Sequence, residues 1–258
     1  MIDRWNILHL NKRVERETLS LSNAERLGVP REIINFWEAR DADAFKDAQD
    51  ITDAIVADGF PEFAEGVGNT EKLGRNCQLW NVCRFLRDLA NRNAIEMLIH
   101  DGMAITYTGS NYEFYPDFQW FCDAAAECVA VAKSRGTTFK LLTVGHVEMM
   151  QPVELIHPTS MISHGILSNS NSIRIYSSDG AACVLERILQ NTDYYRKASV
   201  DHVFFSQNDG EFLWNLPGAF SLIMPVGLDM PSELLGSDSV DWPRYQGIYK
   251  EIFNHGSS

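Results

Sequence analysis

The sequence lacks the short signatures by which the commonest nucleotide, zinc and serine-hydrolase sites are read. There is no GxxxxGK[ST], no GxGxxG, no HExxH and no GxSxG. It also lacks a Cys-x-x-Cys pair, and its five cysteines (Cys77, Cys83, Cys122, Cys128, Cys183) are an odd number. That pattern argues against a disulfide framework and for reduced thiols in a cytosolic setting. No apolar stretch reaches the roughly 20 residues needed to span a bilayer. The opening "MIDRWNILHL" has an acid and a base early and only a short apolar run, which is not the pattern of a secretory signal. The expectation is a soluble, cytoplasmic protein without an integral membrane segment, at most peripheral to a membrane. Positive charge is scarce as well: 22 Lys and Arg stand against 35 Asp and Glu, a net charge of −13. This disfavours a broad electrostatic footprint for nucleic acid or anionic membrane, but not a local basic groove.

What is present reads as an ordinary globular composition, 45% hydrophobic and 22% charged over 258 residues. That length suits one large α/β domain or two small ones. "WNILHL" (Trp5–Leu10) suits a first buried strand, and Val14, Leu19, Leu21, Ala24 and Leu27 then recur at helical spacing, with Gly28 placed to stop the helix. "EIINFWEA" (Glu32–Ala39) is a second strand, which makes a βαβ unit. A helix is expected near Phe45–Ala57, a loop over Gly59–Lys72, and a half-buried helix from Leu73 through Leu89. Strands follow at "AIEMLI", at Phe139–Val144 and at Ser172–Ser178, with helices at Asp117–Arg135 and Asp179–Gln190, the latter capped by Ser178 or Asp179. No repeat and no linker interrupts this alternation. The expected architecture is a single α/β domain over residues 1–228 with a mostly parallel central sheet flanked by helices, and a tail over 229–258 packed on it. Ligands in such sheets bind at the carboxyl ends of strands, where the strand order reverses.

Chemistry-bearing residues collect at those ends. His100-Asp101-Gly102 closes an apolar strand, and Asp supplies hard oxygen ligands for Mg²⁺ or Mn²⁺. Alone, the three residues are most economically a β-turn. Lys12, Arg13 and Arg16 follow the first strand, either as solvated first turns of a helix or where a phosphate meets a helix N-terminus. The seven histidines include no pair at metal-ligand helical spacing, and a lone His is more often a satisfied residue than a ligand. The dense aromatic run from Tyr107 to Phe121 stacks on sugars or bases in one reading and packs sheet against helix in the other, which is favoured.

Several segments, in order, resemble the family 25 glycosyltransferases of the lipooligosaccharide and collagen galactosyltransferase type. "ILHLNKRVER", "AERLGV" and "FWEARDADAF" are similar to the family's first strand with its "NL-x-R-x-x-R" stretch, its helix ending in "L-G", and its second strand with an "A-x-D-G"-like turn. "EKLGRNCQLWNVCRFL" resembles the "G-E-x-G-C-x-x-S-H" helix, keeping Gly74 and Cys77 but carrying Leu79-Trp80 in place of Ser-His. "IEMLIHDGMAI" falls where the family has a strand and an "E-D-D" motif. "SIRIYSSDGAACVLERIL", "ASVDHVFF" and "EFLWNLPGAF" resemble its later segments.

The resemblance implies a GT-A-like, Rossmann-related fold that uses a nucleotide-sugar donor, UDP-sugars in the better-known members, and a divalent cation, Mn²⁺ or Mg²⁺, on the diphosphate. Of the acidic motif only the middle residue is kept, as Asp101, which becomes the expected metal-holding and catalytic residue, with His100 beside it. A metal-independent route would meet the diphosphate with Lys12, Arg13 or Arg16 instead. Asn11, Arg13, Arg16, Glu38, Asp41 and His100 become the expected donor-binding residues, with Arg40 beside them. Asp201, next to His202, becomes the acceptor-side catalytic carboxylate, with a helix or turn cap as the plainer reading. Trp242 and Tyr245 could close over a donor. The expected reaction is hexosyl transfer to a hydroxyl acceptor, a saccharide in preference to a hydroxylated DNA base. The alternative is a catalytically inactive relative acting in binding or assembly, which the altered acidic motif favours.

Overall fold

A computed structural model describes residues 1–64, 73–101, 104–107, 117–144, 154–155, 163–164, 173–192, 213–215 and 220–223. Strand β1 (Arg4–His9) is followed by helix α1 (Val14–Arg26). The helix ends as the sequence predicts. Gly28 takes φ 74°, the Val29 N–H bonds the Ala24 carbonyl at 3.0 Å, and the Gly28 N–H bonds that of Glu25 at 3.0 Å. These are the two bonds of a Schellman stop, for which only glycine adopts the left-handed backbone without strain. A 3₁₀ turn at Arg31–Ile33 leads into β2 (Ile34–Glu38).

After a second 3₁₀ turn at Ala42–Ala44 come α2 (Ala48–Ala57), a single turn α3 (Pro61–Ala64) and α4 (Leu73–Ala90). Next are β3 (Ile95–His100), β4 (Ala104–Tyr107), α5 (Phe118–Ser134) and β5 (Leu141–Val144). Short strands β6 (Glu154–Leu155) and β7 (Ser163–His164) precede β8 (Ile173–Ser177), α6 (Ser178–Gln190), β9 (Leu213–Asn215) and β10 (Phe220–Ile223). The cap of α6 is neither residue expected. It is Ser177, the last residue of β8, whose hydroxyl accepts from the Gly180 N–H at 3.0 Å. Of the Gly59–Lys72 stretch, Gly59 and Phe60 close α2, Pro61–Ala64 form the turn α3, and 65–72 lie outside the described set, as does the 229–258 tail. No helix among the described residues is long and apolar enough to cross a membrane.

The architecture is α/β, with a central sheet flanked by helices. The sheet runs β2-β1-β3-β8-β5 and continues into the short β9, β7 and β6; β10 and β4 form a separate pair. The expectation of a mostly parallel sheet is corrected. β2 and β3 both lie parallel to β1, but β8 runs antiparallel between β3 and β5. The sequence does not reveal this, because a strand buried on both faces reads as an apolar run in either direction. The chain passes from β1 to β2 on one side and returns to β3 on the other. The strand order therefore reverses at the seam between β1 and β3.

Alternation along the strands divides the core in two. Trp5, Ile7, Met97, Ile99, Ile173 and Ile175 face α1 and α5, packing with Ala24, Leu27, Phe121 and Ala125. Leu8, Leu98, Leu141 and Tyr176 face α2, α4 and α6, with Ile51, Trp80, Phe85 and Val184. One buried row is polar. The Asn35 amide donates to Asn6 Oδ1 at 2.8 Å, Asn6 donates to Glu96 Oε2 at 2.9 Å, and Arg92 Nε lies 3.4 Å from Glu96 Oε1. The row fixes the lateral order of β2, β1 and β3, since a register slip would strand buried polar groups among apolar ones.

α6 comes so close to the sheet that a Cβ built on Gly180 would lie 1.8 Å from the Lys140 carbonyl oxygen. Gly28 has only its backbone angle to defend, with nothing within 4 Å of a built Cβ. Gly180→Ala is therefore expected to cost on the order of 3 kcal/mol through overpacking, and Gly28→Ala about 1 kcal/mol through strain alone. Urea denaturation of both variants checks this; equal losses would contradict the close approach of α6 to the sheet.

Candidate functional site

The seam between β1 and β3 is closed at its carboxyl end by one side chain. Asp101 follows β3, and its backbone N–H bonds the Leu8 carbonyl at 2.9 Å, one more rung of the parallel ladder. Its carboxylate then turns back onto β1. Oδ2 accepts from the Leu10 N–H at 3.1 Å and lies 2.9 Å from His9 Nδ1, and Oδ1 accepts from the Arg16 guanidinium at 3.3 Å. Asp101 is 7% exposed and His9 3%. An ionised carboxylate only accepts, so the proton of this contact belongs on His9 Nδ1. The other ring nitrogen, Nε2, lies 4.0 Å from Glu17 Oε2. The edge of the His9 ring meets Phe36 of β2, with ring centres 5.3 Å apart. "His-Asp-Gly" thus begins as a turn, as the bare sequence suggests, but its carboxylate also joins β1, β3 and α1.

Beside the seam, at the carboxyl ends of β1 and β2, lies an open cleft of about 450 Å³. Asn11 and Lys12 come from the loop after β1, Glu38 is the last residue of β2, and Arg40, Asp41 and Phe45 come from the segment after it. The Asn11 amide donates to Glu38 Oε1 at 2.9 Å across the cleft. The Lys12 ammonium pairs with Asp41 and, at 2.7 Å, with Asp43. The hydrogen bonds to Asp41 and then Asp43 raise the Lys12 pKa, and the Lys12 contact lowers that of Asp43. The far wall is fixed by Asn81 of α4, buried, which accepts from the Arg40 N–H at 2.7 Å and donates to the Arg40 carbonyl at 2.9 Å. Arg84, one turn on, stacks 4.5 Å over the Trp37 ring and donates to the Glu38 carbonyl at 3.3 Å.

The donor-binding residues expected from sequence divide between these two places. Asn11, Glu38 and Asp41 share the cleft with Lys12 and Arg40, while Arg16 joins Asp101 in the seam. Arg13, half-buried at the N-cap position of α1, lies between the two, and its charge reaches Asp43. His100, the last residue of β3, is half-buried. Asp201, His202, Trp242 and Tyr245 lie outside the described residues. From the aromatic run, Phe118 and Phe121 meet the Trp5 ring edge-on at 6.2 and 5.8 Å, which is core packing; 108–116 lie outside the described set.

Sequence reasoning missed His9 and Asn81. His9 stands at the inward-facing position after Trp5 and Ile7, where alternation calls for an apolar side chain, and that departure is the signal. Asn81 likewise interrupts the apolar surface of α4.

Two other chemistries find little footing here. Among the described residues, no group of three or more His, Cys, Asp or Glu side chains gathers around a metal position. Burial pushes the Cys77 and Cys83 thiols up to about 12, and Cys128 also upward, which suppresses nucleophilic thiolate. A larger cavity of about 610 Å³ opens at the amino edge of the sheet, beside Asp3, Lys133, Thr138 and Ser178. It lies opposite the carboxyl ends where α/β sheets hold ligands. The smaller cleft is the candidate because charged groups from separate segments converge there.

The chain matches no family model and no curated protein. The likeness to family 25 glycosyltransferases therefore rests on the segments quoted above alone.

Removing the Asp101 carboxylate leaves the Arg16 charge and two other N–H donors without their acceptor. Asp101→Ala is expected to destabilise the fold by about 3 kcal/mol, whereas Asp43→Ala, at an exposed pair, leaves the denaturation midpoint nearly unchanged. Similar midpoints for the two variants would contradict the structural role assigned to Asp101.

Proposed function

We propose that this protein is a nucleotide-sugar-dependent glycosyltransferase of GT-A-like fold, moving a hexose from a UDP-sugar to a hydroxyl acceptor. One observation carries the reading. The cleft at the carboxyl ends of β1 and β2 gathers Asn11, Glu38 and Asp41, drawn from two separate segments that resemble the family's donor-binding elements. A carboxylate at the carboxyl end of the second strand of such a unit suits the hydroxyl pair of a ribose. Glu38 takes that part, with Asn11 orienting it and Phe45 offering an apolar wall. The adjoining seam, with Arg16 on the first turn of α1 and Arg13 at its N-cap position, is where the diphosphate belongs.

In the reaction, an acceptor hydroxyl oxygen forms a bond to the anomeric carbon as the carbon–oxygen bond to the diphosphate breaks. The hydroxyl proton goes to a base, and the negative charge left on the diphosphate needs cationic partners. Asp201 is the acceptor-side carboxylate in this reading, by resemblance of "ASVDHVFF" alone. A saccharide is the preferred acceptor over a DNA base, since a net charge of −13 opposes close approach to a polyanion.

A second reading has one observation behind it. The Asp101 carboxylate is taken up by internal donors, which also suits a nucleotide-binding protein that has lost transfer.

A thermal-shift panel of nucleotide-sugars, with and without Mn²⁺, tests binding, and release of UDP on prolonged incubation separates the two readings. The expected result is a rise in Tm with at least one UDP-sugar and slow UDP release. Glu38→Gln, which removes a charged partner of the ribose, is expected to weaken that binding by roughly tenfold. A panel in which no nucleotide-sugar moves the Tm would contradict both readings; binding with no UDP release would select the second.

A further inference from the structure

The resemblance makes Asp101 the one survivor of a cation-binding motif, yet its surroundings do not fit a cation. A carboxylate offers about four lone-pair directions, and three here are met by N–H groups of His9, Leu10 and Arg16. The remaining direction is on Oδ1, the oxygen that accepts from the Arg16 guanidinium at 3.3 Å. An ion there would be held against a fixed positive charge.

The neighbouring histidine does not help. Along β3, Met97 and Ile99 face α1 and α5, while Leu98 faces α4. Alternation puts His100 on the α4 side and Asp101 on the α1 side, where His9 and Arg16 meet it. The two adjacent residues therefore point to opposite faces and cannot share one ion. Mg²⁺ and Mn²⁺ want several oxygen ligands in near-octahedral order. Among the described residues no group of three or more acidic, His or Cys side chains provides it.

We infer that Asp101 is a positioning residue, not a metal ligand, and that the protein meets a bound diphosphate through α1 arginines without a divalent cation. The carboxylate holds Arg16 over the seam and fixes the His9 proton on Nδ1. An ion taken up on Oδ1 would displace the Arg16 guanidinium from the oxygen that holds it. The diphosphate part rests on the transferase reading; the assignment of Asp101 does not.

Both parts are tested on the intact protein. Without nucleotide, the electron paramagnetic resonance signal of free Mn²⁺ is expected to fall equally with wild type and Asp101→Asn, through diffuse surface acids only. Uptake by wild type that Asp101→Asn loses overturns the assignment. If that variant does not fold, a Tm of wild type raised more by Mn²⁺ than by an equal concentration of Ca²⁺ overturns it, and equal Tm values in the two salts support it. The ¹⁵N shifts of His9 give an independent signature: a proton on Nδ1 is expected, and a tautomer protonated on Nε2 alone contradicts the contact. With a UDP-sugar, the rise in Tm is expected to be the same in EDTA as in Mn²⁺, and a rise that needs Mn²⁺ overturns the inference while leaving the transferase reading standing. No rise with any donor removes the transferase reading and the diphosphate part, and the Mn²⁺ and His9 measurements still decide the role of Asp101.

Discussion

The carboxyl end of the sheet depends on the carboxylate of Asp101. β1 and β3 are parallel neighbours whose paired register ends at Leu8 and His100, so a further tie is needed to keep their ends together. Asp101 does so with a backbone bond to Leu8 and a side-chain bond to the Leu10 N–H. The same group fixes an imidazole and a guanidinium, and hence the first turn of α1. Buried charge is costly unless every direction is paired. That cost explains why these neighbours are hydrogen-bond donors, and why the group is poorly suited to a second task.

From this seam the cleft follows. The loop after β1 is set by the Leu10 contact, and the loop after β2 is set by two bonds from Asn81 to the Arg40 backbone. Between two loops held from opposite sides, Asn11 reaches Glu38 and Lys12 reaches Asp41 and Asp43. The outer wall is ionic and exposed at Asp43, while the inner supports are buried. That contrast suits a site whose floor is rigid and whose lip exchanges partners when a ligand arrives.

Much of the first half of the fold was legible in the sequence. Apolar runs at Trp5–Leu10 and Glu32–Ala39, a helical stripe between them and Gly28 at its end are local signals, and local signals survive into the structure. Strand direction was not legible: Ile173 to Ser177 reads the same either way, and only pairing with β3 and β5 makes β8 antiparallel. The α6 cap was misjudged by one residue because Ser177 and Ser178 are chemically alike, and position relative to β8 decides between them. For the site, sequence could gather Asn11, Glu38, Asp41, Arg16 and Asp101 as candidates. It could not show that Asp101 faces away from His100, nor that a lone histidine 92 positions earlier meets it. Those are consequences of register, which sequence spacing alone does not carry.

The most direct test is a ¹⁵N–¹H correlation spectrum of the protein titrated with UDP in EDTA. The largest amide shifts are expected on Asn11, Lys12, Glu38, Arg40 and Asp41, with smaller ones at Arg13 and Arg16. Shifts confined to Lys133, Thr138 and Ser178 at the amino edge, or none at all, would contradict this.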